Sequence, residues 1–580
     1  MQQLISLYLK TNLKSCIKTP INLIVITEGY ENVTEKLQQF DSEFQSMWWL
    51  HQSADWNYST NVSETTTSAR KFASVAYSEW MKEWKLWARQ LNYDDLPPYE
   101  KQTVEIMASG VVFMNAGDTS LITELKSKLT EIYSSAKITL PELNRTAQGE
   151  SEVISLVAQL RNPNILKKIW KSWRMQVGEK AKYDFLQLMK LTNKAARENG
   201  YSDVGEAWRE ELGLTHVIST VLYLWDDVKA FYKELHAYTK YKLSLWGDNW
   251  SGLSDILMPH PQQTFTNITS MLKSKEFTVS GLLRKAEEFY TTMGLDSMKK
   301  SFWKKSMFVK PSDGRSVDCH AVSYDFALKE DFRVRMCAEV KERSFLETVH
   351  EMGHIHYYMA YHKLPMIYRS GANSAFHEAI GETMVYAAQS PKCLQALHLR
   401  SPDMPKEILV NTLMKQALSK FVLLPWALTV ELWRYELLSG EIKEENLVEK
   451  WWELRKKIQG MEPPDLESAK LFDPGSKYHV LLYIPYMRYF LSRFLEHQFL
   501  EALCKITKED IHSCCFITSK EAGNQLKLML SLGASVSWQD ALETLTGKRE
   551  LSAKPLLNYY KPLYRWLVEY NRSHNISIDW

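Results

Sequence analysis

Glycine and proline are scarce in this chain. There are 22 and 19 of them in 580 residues, roughly 7% against a usual share near 12%, which excludes collagen-like, disordered and turn-dense all-β organisation. No run of 18 or more apolar residues occurs, and the chain stops at Trp580 without a hydrophobic tail or a lipidation signal, so neither a membrane span nor an anchor is expected. Charge of one sign is lacking too. Lysine and arginine total 71 against 69 acidic residues, a net charge of +2, which gives no electrostatic basis for a nucleic-acid partner or an acidic tail. No CxxC pair has metal-binding spacing, and there is no internal repeat, low-complexity segment or Gly/Ser-rich linker. Without linkers, one large body is expected rather than a string of small domains.

What is present is apolar and aromatic. Hydrophobic residues make up 45% of the chain, with 20 tryptophans and 29 tyrosines, enough for a large, tightly packed core. Apolar residues recur at three- and four-residue steps over 71–91, 156–177 and 183–197, which predicts long amphipathic helices. Helix breakers cluster at Pro97-Pro98, Pro259–Pro261, Pro463-Pro464 and Pro474-Gly475. Alternation over 317–326, followed by 332–340, predicts two strands in this otherwise helical pattern. The fold class expected is mostly α, with a short β-hairpin.

The seven cysteines are Cys16, Cys319, Cys337, Cys393, Cys504, Cys514 and Cys515. Cys319 and Cys337 bracket the two strands, and Cys504 and Cys514 bracket a short loop. Spacing alone fits either disulfides in an oxidising compartment or buried thiols. Eight sequons, at Asn32, Asn57, Asn61, Asn144, Asn249, Asn267, Asn571 and Asn575, tilt the balance toward a secreted glycoprotein. The first 36 residues hold two short apolar runs, 4–9 and 21–26, separated by Lys10, Lys14 and Lys18. They read as a poor secretory leader or as an irregular start.

The residues that carry chemistry are His350-Glu351-Met352-Gly353-His354. Phe345, Leu346, Val349, Ile355 and Tyr358 around them keep helical spacing, and residues i and i+4 share a helix face. Two imidazoles can then meet one zinc ion, with Glu351 beside it as general base. Catalytic zinc needs a third protein ligand and an open position. A second helix is expected after the turn Gly371-Ala372-Asn373, with Asn373 or Ser374 as its N-cap. It carries Glu378, which is the candidate third ligand. Glu382, one turn further on the same face, is either an acceptor for a ligand imidazole N–H or a solvated charge.

The segment His350–His354, followed by Gly371-Ala-Asn-Ser-Ala-Phe-His-Glu-Ala-Ile-Gly381, resembles the angiotensin-converting-enzyme family of zinc dipeptidyl carboxypeptidases. The likeness continues in order through Asp55–Asn61, Lys171-Ser-Trp-Arg174, Cys319–Phe326, Lys450–Arg455, Phe472–His479, Pro485–Phe490, Ser519–Gly523 and Leu556–Tyr559. It covers the chain from about residue 37 to the C-terminus, so 37–580 is expected to be a single metallopeptidase domain. The resemblance implies a large helical ellipsoid of two lobes around a deep central cleft. It also implies a secreted monomer that acts on short peptides, and the disulfides Cys319–Cys337 and Cys504–Cys514. Cys515 is left as a neighbour able to compete for pairing, and the family's other short disulfide loop, near residue 140, has no cysteines here.

Roles follow by position. Zinc would be held by His350, His354 and Glu378, with Glu351 as general base. His479 and Tyr489 match the donors that stabilise the tetrahedral oxyanion. His320 and the backbone at Ala321 match the strand that receives an extended peptide. Lys477 and Tyr486 match the pair that binds the substrate's terminal carboxylate. Arg174, Trp451 and Arg455 match one chloride site, and Arg488 is the retained cation of another, whose tyrosine partner corresponds to Leu212.

The chain also departs from the family. Asp248 occupies the place of a glutamine or arginine that would meet the carboxylate, and Arg493 replaces an apolar residue nearby. We expect Arg493 to compensate, by pairing with Asp248 or by binding the carboxylate itself. Ser323 and Tyr324 stand where the family usually has alanine and tryptophan, Val349 replaces a histidine, and the chain is about twenty residues shorter between Tyr238 and Trp246. The expected activity is zinc-dependent release of C-terminal dipeptides, with chloride as an activator. The alternatives are a single-residue carboxypeptidase or endopeptidase, or a secreted peptide-binding protein with reduced turnover.

Overall fold

The computed structural model describes residues 33–240, 249–262, 268–399 and 406–580. The leader-like runs, Cys16, the sequons at Asn32 and Asn267, and Asp248 lie outside them. Helix accounts for 69% of the structure, and the strands among the described residues form two antiparallel pairs, so the fold is mostly α with a few short strands.

Helices α1 (Val33–Thr60), α2 (Glu64–Gln90) and α3 (Pro98–Ala108) pack on one another at the start of the described chain. A reciprocal box between Ser63 and Thr66 caps α2, and Pro98 opens α3 at a position where its missing N–H costs nothing. The three close around a small core of Phe40, Trp84, Ala88, Val104 and Met107 that is separate from the main one.

A hairpin of β1 (Lys137–Leu140) and β2 (Arg145–Gln148), which the sequence pattern does not announce, occupies the region near residue 140. Its ladder closes that loop without cysteines. The single helix expected over 156–177 is instead interrupted. Helix α4 (Gly149–Gln159) ends before Leu160, and α5 (Pro163–Trp173) starts afresh with Asn162 as N-cap. A proline cannot join the preceding turn, so Asn162-Pro163 sets the break. A wide turn, Arg174–Glu179, then leads into α6 (Lys180–Glu198).

The two expected strands form but are short, as β3 (Val322–Asp325) and β4 (Phe332–Arg335), in antiparallel register from Val322↔Arg335 to Asp325↔Phe332. Beyond Arg335 the chain turns to pair elsewhere. Met336 N donates to Met307 O and Ala338 N to Phe308 O. The Cys319–Cys337 disulfide ties the two flanks together.

Four helices build the centre: α7 (Glu342–Tyr361), α8 (Ser374–Gln389), α9 (Leu423–Ser439) and α10 (Met487–Thr507). Helix α8 packs along both α7 and α10, and α10 also packs on α9. The aromatic abundance goes into this core, where Trp250, Trp433 and Trp451 are fully buried. Cys504–Cys514 forms as expected. Cys515 does not compete for it, because it pairs with Cys393 across 122 residues, joining the segment after α8 to the one after α10.

Candidate metal centre

The site forms where α7 and α8 cross. Two glycines set the closeness of that crossing, since a Cβ at Gly353 would stand 3.2 Å from the Gly381 Cα. Asn373 caps α8 by accepting from Ala375 N, which fixes where that helix starts and so where Glu378 emerges.

His350, His354 and Glu378 converge. Their ligand atoms all lie within 4.8 Å of one another. The two Nε2 atoms are 3.1 Å apart, and His350 Nε2 is 3.8 Å from Glu378 Oε2. The other ring nitrogens turn away. His354 Nδ1 lies 3.2 Å from His377 Nδ1, and His350 Nδ1 faces Glu382 Oε1 at 3.9 Å. Burial, reinforced by the His350 ring, holds the His354 imidazole below its ordinary value, so it is neutral, the form that ligates metal. Two imidazole nitrogens and one carboxylate facing a common point are the donor set of a catalytic zinc with one position left open.

Behind His350 lies a charge network that sequence reasoning only half anticipated. Glu382 is buried, and both of its oxygens accept from Lys420 Nζ, at 2.6 and 2.7 Å. Arg493 Nη2 stands 3.6 Å from Glu382 and 3.2 Å from Glu496. Burial alone would raise the Glu382 carboxyl, but Lys420, Arg493 and His350 outweigh it and hold it well below the carboxylate range. Burial lifts Glu496 to about 8 despite Arg493. Glu382 is therefore a braced carboxylate facing the His350 ring, not a solvated charge. Arg493, expected to pair with Asp248 or to bind the substrate carboxylate, is buried against Glu382 and Glu496, and Asp248 lies outside the described residues.

Glu351 is buried beside the ligands. Its Oε2 accepts from Ser323 Oγ on β3 at 2.6 Å. His479, Tyr486 and Tyr489 form one cluster. Tyr489 OH is 3.4 Å from His479 Nε2, and the Tyr486 and Tyr489 rings stand 4.9 Å apart. Burial, then the Glu378 carboxylate, pushes the Tyr489 phenol up to about 12, so it keeps its proton at neutral pH. Lys477 Nζ lies 3.7 Å from Glu150 Oε1. His320 is exposed just before β3, and its carbonyl accepts from Arg335 Nη2. Ala321 is half-buried beside it. The outer edge of β3 has no ladder partner among the described residues, because β4 pairs its other side.

The loop carrying these groups is held by a pair that sequence reasoning missed. Glu431 and Arg434, both on α9 and fully buried, ion-pair with each other. Glu431 Oε1 accepts from Tyr486 N at 2.8 Å, and Arg434 Nη2 donates to Ile484 O at 2.8 Å. The available signal was two opposite charges three residues apart in a mostly apolar helix.

The expected chloride residues meet carboxylates. Arg174 Nε donates to Asp473 Oδ1 at 2.7 Å and Trp451 Nε1 to Asp473 Oδ2 at 2.8 Å, with Arg455 Nη1 3.8 Å from the same oxygen. Burial would raise Asp473, but Arg174 and Arg455 hold it down and charged. Arg488 Nη2 lies 3.0 Å from Oε1 of Glu211, the residue just before the buried Leu212. Each of the three arginines thus has a carboxylate oxygen within 4 Å.

Comparison with known proteins gives one consistent result. A family model described as angiotensin-converting enzyme, among the M2 peptidases, matches residues 28–580. The angiotensin-converting enzyme of Bos taurus is 33% identical over 588 aligned residues, covering 95% of this chain and 45% of that protein. That of Theromyzon tessulatum is 34% identical over 551 residues, 88% of each. The chain thus spans about half the length of the Bos taurus relative and most of the Theromyzon tessulatum one. No helix among the described residues is long and apolar enough to cross a membrane.

Proposed function

The chain belongs to the angiotensin-converting enzyme family of zinc peptidases, and from that premise we propose that it releases C-terminal dipeptides from short peptides. The observation that carries this reading is the convergence of His350 Nε2, His354 Nε2 and the Glu378 carboxylate beside the buried Glu351.

Those three side chains would hold zinc, which when bound would supply polarisation of the scissile carbonyl and acidification of the attacking water. Glu351 takes the proton from that water and returns it to the leaving amine. His479 and Tyr489 are the donors for the oxyanion; the elevated Tyr489 phenol is protonated and able to donate. The outer edge of β3, which no strand among the described residues pairs, has His320 and Ala321 at its start and accepts the extended peptide as an added strand. Lys477 and Tyr486 hold the terminal carboxylate and set the distance from zinc that leaves two residues beyond the scissile bond.

The protein is proposed to act as a monomer and to be secreted, the latter supported by three disulfides and by exposed sequon asparagines at Asn57, Asn61, Asn144, Asn249 and Asn575. Chloride is proposed to be at most a weak activator, because Asp473 and Glu211 already face the arginines that would bind it.

Mass spectrometry of products from one peptide, as free acid and as C-terminal amide, tests the reading. Loss of two residues from the acid and none from the amide supports it. Loss of one residue from the acid replaces it with a single-residue carboxypeptidase, and internal cleavage of both forms replaces it with an endopeptidase. Binding without cleavage replaces it with a peptide-binding protein.

A further inference from the structure

Glu351 is not alone with the metal ligands. The hydroxyl of Ser323 stands 2.6 Å from Glu351 Oε2 and 2.9 Å from the Glu351 main-chain oxygen. Nothing in the metal-binding motif requires a serine there, and the residue is remote in sequence.

The backbone explains how a strand residue reaches a helix residue so closely. On β3, successive side chains point to opposite faces. Tyr324 is buried on one face against Trp56 and Phe326, which sends Ser323 to the other face, toward α7. The strand is fixed by its register, Ser323↔Val334, and by the Tyr358 hydroxyl of α7, which donates to Ser323 O at 3.4 Å. Serine has a single side-chain torsion before its hydroxyl, so little freedom is lost in placing it. Glu351 has three torsions between backbone and carboxylate, and a free glutamate would sample several orientations.

We propose that Ser323 is a positioning residue for the general base. This inference rests on the assignment of Glu351 as that base. The Ser323 hydroxyl donates to Oε2 and holds the carboxylate in one orientation, leaving Oε1 to take the proton from the attacking water. The proton moves from the water oxygen to Oε1, and Ser323 keeps its own. Once Glu351 is neutral it is a weaker acceptor, and the Ser323 proton turns to the Glu351 main-chain oxygen, which is already within reach. One hydroxyl with two acceptors on the same residue is therefore satisfied in both protonation states. Orientation of this kind contributes to the chemical step and not to peptide affinity.

The test compares wild type, Ser323→Ala and Ser323→Thr with a free-acid peptide at equal zinc content and with thermal midpoints recorded. The expected result is a kcat about tenfold lower for alanine, the loss of one oriented hydrogen bond in the transition state, with KM within about twofold. Threonine keeps the hydroxyl and suits a strand, so it restores most of kcat. In parallel, calorimetry measures the Kd of the same peptide for Glu351→Gln with and without Ser323→Ala, and the two values are expected to agree. An unchanged kcat in Ser323→Ala, a loss confined to KM, a changed Kd in the calorimetric pair, or failure of threonine to rescue overturns the proposal while leaving the peptidase reading intact. Absence of any cleavage by wild type overturns both.

Discussion

Gly381 lies directly against the His350 imidazole: a Cβ at Gly381 would fall 2.7 Å from both Cε1 and Nδ1 of that ring. Real Cβ contacts are not that short, and the ring cannot retreat without leaving the metal position. Gly381→Ala is expected to fold but to lose zinc, because the displaced ring is one of three ligands. Zinc content after dialysis, with circular dichroism as a control for helix, checks this. Full zinc retention would show that α8 can shift away.

The braced Glu382 makes a second prediction. A carboxylate beside a ligand imidazole orients the ring and raises its basicity, and removing such a partner commonly costs ten- to a hundredfold in metal affinity. Lys420→Met leaves Glu382 with Arg493 alone and is expected to weaken zinc binding by roughly tenfold. Glu382→Gln is expected to do more, because it removes the carboxylate itself and strands Lys420, while Arg493 keeps Glu496. Competition with a chelator of known affinity measures both.

Acid stability has a defined sign. His236 is buried against Tyr232, Trp250 and Trp580, and burial, with Lys240, lowers it to about 4. Burial lowers His497 to about 3. Unfolded histidine takes up a proton near pH 6.5, so below that pH the unfolded chain binds more protons and stability is lost as pH falls toward the folded values. By pH 4.5 the loss from His236 amounts to about 2–3 kcal/mol. Denaturant unfolding at pH 7 and 4.5 is expected to show a smaller drop for His236→Gln than for wild type.

Chloride dependence follows from Asp473 and Glu211. Activity in chloride-free buffer is expected to lie within about twofold of that at physiological chloride, a weak coupling. Replacing the surface-facing Glu211 with glutamine frees Arg488 and is expected to introduce a chloride response. Initial rates across a chloride series decide it.

Much of the site is local and therefore legible in sequence. His350, Glu351 and His354 lie within one helical turn, Glu378 lies on the next long helix, and each obeys spacing rules that need no tertiary knowledge. The long helices are legible for the same reason, and Pro163 marks a break that periodicity alone overrides. Pairings between distant segments leave no local trace. Asp473 lies 299 residues from Arg174, and Cys393 lies 122 from Cys515. Arg493 illustrates the difference. Its presence near the site follows from position in the chain, but whether it faces substrate or Glu382 depends on a carboxylate from another helix. Ser323 is legible only as a substitution, because its value comes from the strand that aims it at Glu351.

The central claim is that Glu351, beside a zinc held by His350, His354 and Glu378, moves the proton that peptide hydrolysis requires. The most direct measurement is the hydrolysis rate of a free-acid peptide by zinc-loaded Glu351→Gln, alongside the peptide's Kd. A fall of at least about a hundredfold with binding retained is expected, the usual contribution of a general base. A rate within about tenfold of wild type would contradict the account, because proton transfer would then belong to another group.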